Sequence, residues 1–305
     1  MADLDPVLAN VLAAVPFRLT TDGGPELARQ RFAELPRVPV FPEVTTSEHS
    51  VDGPAGAVPV RIYRPPTEAA VLPVVVFIHG GGWSVGDLDT YDGAARLHAV
   101  AADALVVSVD YRLAPEHPYP AAVEDVWAVA QWVAADAGGF GGDPTRVAVA
   151  GDSAGGNLAA VVAQQARDAG IPLRFQLLWY PSTTFDTSLP SFIENAEAPI
   201  LGLAECKAFT RWYVGDADLS RPAATLVPAA GDLTGVAPAH IVVAGHDPLR
   251  DDGARYAQLL TDAGVPAELH RADTLVHGFL GYYGVVPAAT EATDRALAAL
   301  RAALH

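Results

Sequence analysis

One cysteine, one methionine and one lysine stand in a chain of 305 residues. With Cys206 alone, no intrachain disulfide can form and no cysteine cluster can hold zinc, which fits a reducing cytoplasm. Lys207 is the single lysine, and 36 acidic residues against 19 basic ones give a formal charge of −17. So acidic a surface repels phosphate backbones and anionic headgroups, so neither nucleic acid nor a membrane surface is an expected partner. Long apolar runs are missing as well: charges or prolines interrupt every hydrophobic stretch before it could span a bilayer. The stretch from Met1 to Phe17 carries Asp3 and Asp5, lacks a basic leading region and is broken by Pro6, Asn10 and Pro16, so it does not read as a secretory signal. There is no internal repeat or low-complexity tract.

What is present is a large apolar fraction, 50% of residues, spread along the chain, enough for a substantial core. From about residue 45, short β-branched runs alternate with longer alanine-rich ones, the pattern of parallel strands joined by crossover helices. Eight strands are predicted at Thr45 to Val51, Val58 to Tyr63, Val74 to Ile78, Leu105 to Val109, Val147 to Ala150, Phe175 to Trp179, Ile241 to Ala244 and Ala267 to Arg271. The middle ones are continuously apolar, as strands covered on both faces are; the first two alternate and should form an antiparallel edge. Helices are predicted at Ala94 to Ala102, Ala121 to Asp136, Gly155 to Ala169, Asp252 to Ala263 and Thr290 to Leu304. Between Pro181 and Val236 the rhythm breaks. Residues 183–226 therefore read as an insertion, and together with residues 1–44, helical at Pro6 to Ala14 and Gly24 to Ala33, as a helical cap on an α/β core of 45–182 and 227–305.

The strongest chemical signal is Gly151-Asp152-Ser153-Ala154-Gly155, a G-x-S-x-G between a predicted strand and a predicted helix. A serine in that sharp turn is lifted above the sheet, and the flanking glycines let strand and helix approach. A serine hydroxyl needs a base, and the base an orienting carboxylate. His277 follows the last predicted strand. Asp247 follows the strand before it and is preferred to Asp251 and Asp252, which fall at the start of the next helix. His79-Gly80-Gly81-Gly82-Trp83 follows the strand ending at Ile78, where consecutive glycines can aim backbone N–H groups at one point; the N–H of Ala154 would be a further donor. The glycine run matches neither G-x-x-x-x-G-K-[ST] nor G-x-G-x-x-G, so it is not read as a phosphate loop.

These motifs, with Asp110-Tyr111-Arg112-Leu113-Ala114-Pro115-Glu116, Gly156-Asn157, Asp247-Pro248-Leu249-Arg250-Asp251 and His277-Gly278-Phe279, resemble the hormone-sensitive lipase-like family of the α/β-hydrolase superfamily, the bacterial family IV carboxylesterases. The resemblance covers roughly residues 58–285. It implies an α/β-hydrolase fold with a mostly parallel eight-stranded sheet, a triad of Ser153, Asp247 and His277, and an oxyanion hole of Gly81, Gly82 and Ala154. It also implies that His79 anchors its loop and that residues 110–116 support the site. The segment from Thr183 to Leu226 matches loosely, with Thr225 where the family usually has serine.

The expected reaction is two-step hydrolysis of a small carboxylic ester, with no cofactor and no metal. Trp83, Phe209, Trp212 and Tyr213 are expected to line an apolar acyl pocket suited to short- and medium-chain esters. An amidase, lactonase or peptidase could use the same triad. A non-catalytic receptor on this fold would be expected to have lost the base that His277 supplies. The last strand, at a sheet edge, or the C-terminal helix would be open to pairing in a homodimer.

Overall fold

The computed structural model describes residues 2–35, 41–215, 217 and 219–305. The expected cap segments 1–44 and 183–226 thus each contain positions outside the described residues. Eight strands form one sheet: β1 (Thr45–Gly53), β2 (Gly56–Arg64), β3 (Leu72–Ile78), β4 (Leu105–Val109), β5 (Gly142–Asp152), β6 (Phe175–Trp179), β7 (Ala239–His246) and β8 (Ala267–Val276). Their spatial order is β1-β2-β4-β3-β5-β6-β7-β8. β1 and β2 form an antiparallel hairpin that adds antiparallel to β4; from β4 to β8 every pairing is parallel.

β3 is apolar throughout and buried throughout, because helices cover both faces. Val74, Val76 and Ile78 point into a core closed by α4 (Ala121–Asp136), α5 (Ala154–Asp168) and α8 (Arg250–Asp262). Val75 and Phe77 point into the opposite core, closed by α3 (Asp92–Ala102) and α9 (Pro287–Leu304). The direction of strand addition reverses between β3 and β5, which leaves a crevice above their carboxyl ends. Loops leaving β3, β5, β7 and β8 all emerge at that end of the sheet.

The strands are longer than their apolar centres. β5 begins at Gly142, through a polar Asp-Pro-Thr-Arg stretch that β-propensity does not favour, and β8 continues past Arg271 to Val276. His277 is therefore the first residue beyond β8. Residues 183–226 contain α6 (Pro190–Glu194) and α7 (Leu203–Val214), and the N-terminal segment contains α1 (Pro6–Ala14) and α2 (Pro25–Ala33). α1 belongs with the sheet: Leu8 joins the core under α9, and the Asp5 amide donates to the Thr274 carbonyl. The stretch beyond it meets the insertion instead. Arg18 bridges to Ile200 and pairs with Glu197 and Glu205, while Ala28 of α2 packs with Val85 and Phe209. Among the described residues no helix is long and apolar enough to cross a membrane.

One buried histidine couples the fold to pH. His98 of α3 directs Nδ1 to the Ala94 carbonyl (2.7 Å) and accepts the Trp179 indole N–H at Nε2 (3.1 Å), so the neutral ring satisfies both nitrogens. Burial lowers its pKa to about 4. The stability this lends is complete above the unfolded pKa near 6.5 and is lost as pH falls toward 4, by about 3 kcal/mol. Buried Asp152 and Asp252, raised to about 6 by burial, act in the opposite sense over an overlapping range. Urea unfolding of the protein and of His98→Gln at several pH values separates the contributions. The variant is expected to lose less stability between pH 6.5 and 4 than the parent; equal losses would contradict the role given to His98.

Candidate active site

The turn joining β5 to α5 carries Ser153 at φ 55°, ψ −116°, a conformation costly for a residue with a Cβ. The neighbours enforce it. The Ser153 amide donates to the Trp179 carbonyl (2.8 Å), and α5 lies so close to β3 that a Cβ on Gly155 would run into the Ile78 and His79 carbonyls. Ser153 is nevertheless at the cavity floor, largely buried, with Oγ directed outward.

His277 Nε2 lies 2.9 Å from Ser153 Oγ, and its Nδ1 lies 2.8 Å from Asp247 Oδ2. The carboxylate accepts from Nδ1–H, leaving the Nε2 lone pair toward the serine hydroxyl. Asp247 is wholly buried, and its second oxygen accepts the Leu249 amide (2.8 Å). The ring of Tyr180 meets His277 edge-on at 4.8 Å and limits its rotation. The rival carboxylates are engaged elsewhere. Asp251 bonds Arg250 and the Ser191 amide; Asp252 accepts from the Thr183 and Thr184 amides and the Thr183 hydroxyl. Both lie in the first turn of α8, which begins at Arg250, two residues before the predicted start at Asp252.

The glycine loop faces the same point. Gly81 has φ 98°, and a side chain there would strike the Val85 carbonyl, so only glycine fits. Among the described residues no acceptor takes the N–H of Gly81 or Gly82, and that of Ala154 lies in the first turn of α5, where helical amides lack partners. His79 does not face the cavity. It stacks on Tyr111 (4.3 Å between ring centres), is held neutral by burial with a pKa lowered to about 4, and bonds the Gly80 carbonyl through Nδ1. Residues 110–116 brace this assembly: the Tyr111 hydroxyl donates to the His79 carbonyl (2.8 Å), and Arg112 grips Asp125.

Two contacts were not legible in the motifs. Asp152 accepts the Gly80 amide at Oδ1 (2.7 Å) and the Tyr91 hydroxyl at Oδ2 (3.2 Å), tying the serine turn to the glycine loop. Burial raises its pKa to about 6, against the pull of the Gly80 hydrogen bond. Arg29 of α2 donates to the Ser84 and Ala114 carbonyls, so the N-terminal segment also steadies the loop.

Above Ser153 opens a cavity of about 620 Å³ lined by Trp83, Phe185, Phe192, Leu201, Phe209 and Leu249, among others. Trp83 and Phe209 thus line it as expected. Trp212 and Tyr213 do not. Tyr213 is fully buried behind Trp83, stacked on it at 4.2 Å, and Trp212 meets Phe209 edge-on from outside the cavity. Successive residues of a helix face different directions, and α7 presents Cys206, Lys207, Phe209, Thr210 and Arg211 to the cavity while turning Trp212 and Tyr213 away from it. Phe185, Phe192 and Leu201, which line the cavity in their place, sit in segments without a readable period. Thr225 bonds the Tyr119 hydroxyl (2.7 Å) and does not line the cavity.

Comparison with known proteins bears on the family and the fold. A family model described as alpha/beta hydrolase fold matches residues 75–281. The chain is 60% identical over 306 residues to "Esterase LipI" of Mycobacterium tuberculosis, covering 99% of this chain and 96% of that one. It is 56% identical over 310 residues to "Carboxylesterase NlhH" of the same organism, covering 99% and 97%. Among solved structures, that of DphMB1 superposes with a TM-score of 0.97 at 66% identity, covering 100% of both chains.

The packing at the serine turn has a direct test. Gly155→Ala is expected to lower the unfolding free energy by about 2 kcal/mol or more, since the methyl meets rigid backbone on β3. An unchanged urea midpoint would contradict the close approach of α5 to that strand.

Proposed function

The chain belongs to the hormone-sensitive lipase-like, family IV branch of the α/β-hydrolase superfamily and is a carboxylic ester hydrolase, and from that premise we propose that Ser153, His277 and Asp247 carry the reaction. The observation that supports this most is the unbroken hydrogen-bond chain from Ser153 Oγ through the imidazole to Asp247, at the floor of a cavity. In the first step Ser153 Oγ bonds to the ester carbonyl carbon while its proton passes to His277 Nε2. The resulting oxyanion accepts hydrogen bonds from the N–H groups of Gly81, Gly82 and Ala154. As the intermediate collapses, the acyl C–O bond to the alcohol breaks and His277 returns the proton to the departing oxygen. Water then attacks the acyl-enzyme, giving its proton to His277, and the carboxylic acid leaves as Ser153 regains its proton. Asp247 orients the ring and stabilises the imidazolium without taking up a proton.

Of the expected cap segments 1–44 and 183–226, this reading keeps the stretch around Arg18 with α2 and the helices α6 and α7 as the cap, on the strength of the contacts around Arg18 and Phe209. The aromatic cavity beneath them suits small esters of short or medium acyl chain over emulsified lipid. A cytoplasmic site of action rests on the lone cysteine, and the open edge of β8 is the surface along which a homodimer would form.

Ser153→Ala is expected to abolish hydrolysis of a short 4-nitrophenyl ester while leaving the thermal unfolding transition in place; residual turnover near the parent rate would refute the mechanism. Asp247→Asn should lower kcat by roughly 10⁴-fold, since the wrong imidazole tautomer then faces the serine. Asp251→Asn should cost far less, and the opposite ranking would move the orienting role to Asp251. Parallel assays with the matched amide and lactone test the preference for esters.

A further inference from the structure

The cavity over Ser153 has a charge opposite to that of the protein. The formal charge is −17, yet among the described residues none that lines the cavity is acidic, and two are cationic: Lys207, the chain's single lysine, and Arg211. Both lie on α7, four residues apart and so one above the other on the same helix face. Like charges at that spacing oppose helix formation; Arg211, in the last turn, favours α7 through its dipole, but the folding of α7 does not account for Lys207. Many cations elsewhere are paired, Arg18, Arg29, Arg61, Arg96, Arg112 and Arg250 each holding a carboxylate, whereas Arg64 and Arg174 hold backbone carbonyls. Among the described residues neither Lys207 nor Arg211 has a carboxylate within ion-pair distance, and both are exposed to solvent. The cavity floor is apolar, formed by buried Trp83, Phe192 and Phe209 around Ser153. Floor and rim therefore ask for different chemistry.

We propose that Lys207 and Arg211 determine specificity by selecting esters whose acyl chain ends in a second, ionised carboxylate, such as half-esters of dicarboxylic acids. The scissile carbonyl sits at Ser153, the methylene chain lies along the aromatic walls, and the remote carboxylate meets the two cations at the rim. Hydrolysis adds water across the acyl C–O bond, releasing the alcohol and the dicarboxylic acid. A protein of this net charge would otherwise repel an anionic ester, and the local positive rim reverses that field at the entrance. Since the rim is wet, the gain is modest and sensitive to salt: about tenfold for the pair of charges.

This inference rests on Ser153 being the nucleophile, and the test keeps the two apart. The 4-nitrophenyl half-ester of suberic acid is compared with 4-nitrophenyl octanoate, which has the same chain length and a methyl group in place of the carboxylate. kcat/KM is measured for the parent and for Lys207→Gln/Arg211→Gln, at low salt and at about 0.5 M salt, where the screening length falls to roughly 4 Å. The ratio of charged to neutral ester is expected to be about tenfold higher in the parent than in the double variant, chiefly through KM, and to shrink toward the variant's value at high salt. A ratio that is the same in both proteins, or insensitive to salt, overturns the inference while octanoate turnover still depends on Ser153. If octanoate is hydrolysed equally well by Ser153→Ala, the reading of the nucleophile fails instead.

Discussion

The turn at Ser153 is the constraint on which the site depends. A residue with a side chain is held at positive φ because α5 must pack directly against the end of β3, and glycine at position 155 removes the atoms that would prevent it. The strain is held by local hydrogen bonds: the Ser153 amide to β6, and the Asp152 carboxylate to the Gly80 amide. The same packing that exposes the hydroxyl also brings the glycine loop beside it. The proposed nucleophile and oxyanion donors are thus positioned by one contact between β3 and α5, and not by two independent loops.

The remaining two groups arrive from farther along the chain because the sheet keeps growing in one direction. β6, β7 and β8 add in order beside β5, all parallel, so the residues just past β7 and β8 emerge at the same edge as Ser153. Asp247 and His277 occupy those exits. Covering helices on both faces make the sheet rigid enough to hold two hydrogen bonds of 2.8 and 2.9 Å across three chain segments. Precision at the site is a consequence of the buried strands beneath it.

Much of this was readable from residues alone. The apolar run of β3 and the glycines at 151 and 155 are local signals, and each sits immediately beside a residue proposed to act, which is why Ser153 and the glycine loop stand out in the sequence. What escaped depends on contacts across long separations. Asp152 and Gly80 are 72 residues apart, and nothing in a G-x-S-x-G pattern says that its second residue clamps another loop. The start of β5 and the end of β8 differ from expectation for the opposite reason: sheet hydrogen bonding carries polar residues into strands that propensity would end. In α7 the aromatics Phe209, Trp212 and Tyr213 suggest a pocket wall, but the helix turns Tyr213 under Trp83 and leaves only Phe209 of the three facing the cavity. Phe185 and Leu201 lie outside regular elements, and only the folded arrangement gives them a direction.

The central claim is that Ser153 becomes covalently acylated during turnover. Acid quenching during the hydrolysis of a slowly deacylating ester, followed by digestion and mass spectrometry, measures this directly. The account requires an adduct of the acyl group's mass on the peptide containing Ser153, absent when His277 is replaced by Ala. An adduct on another residue, or complete turnover with Ser153 unmodified at every quench time, would contradict it.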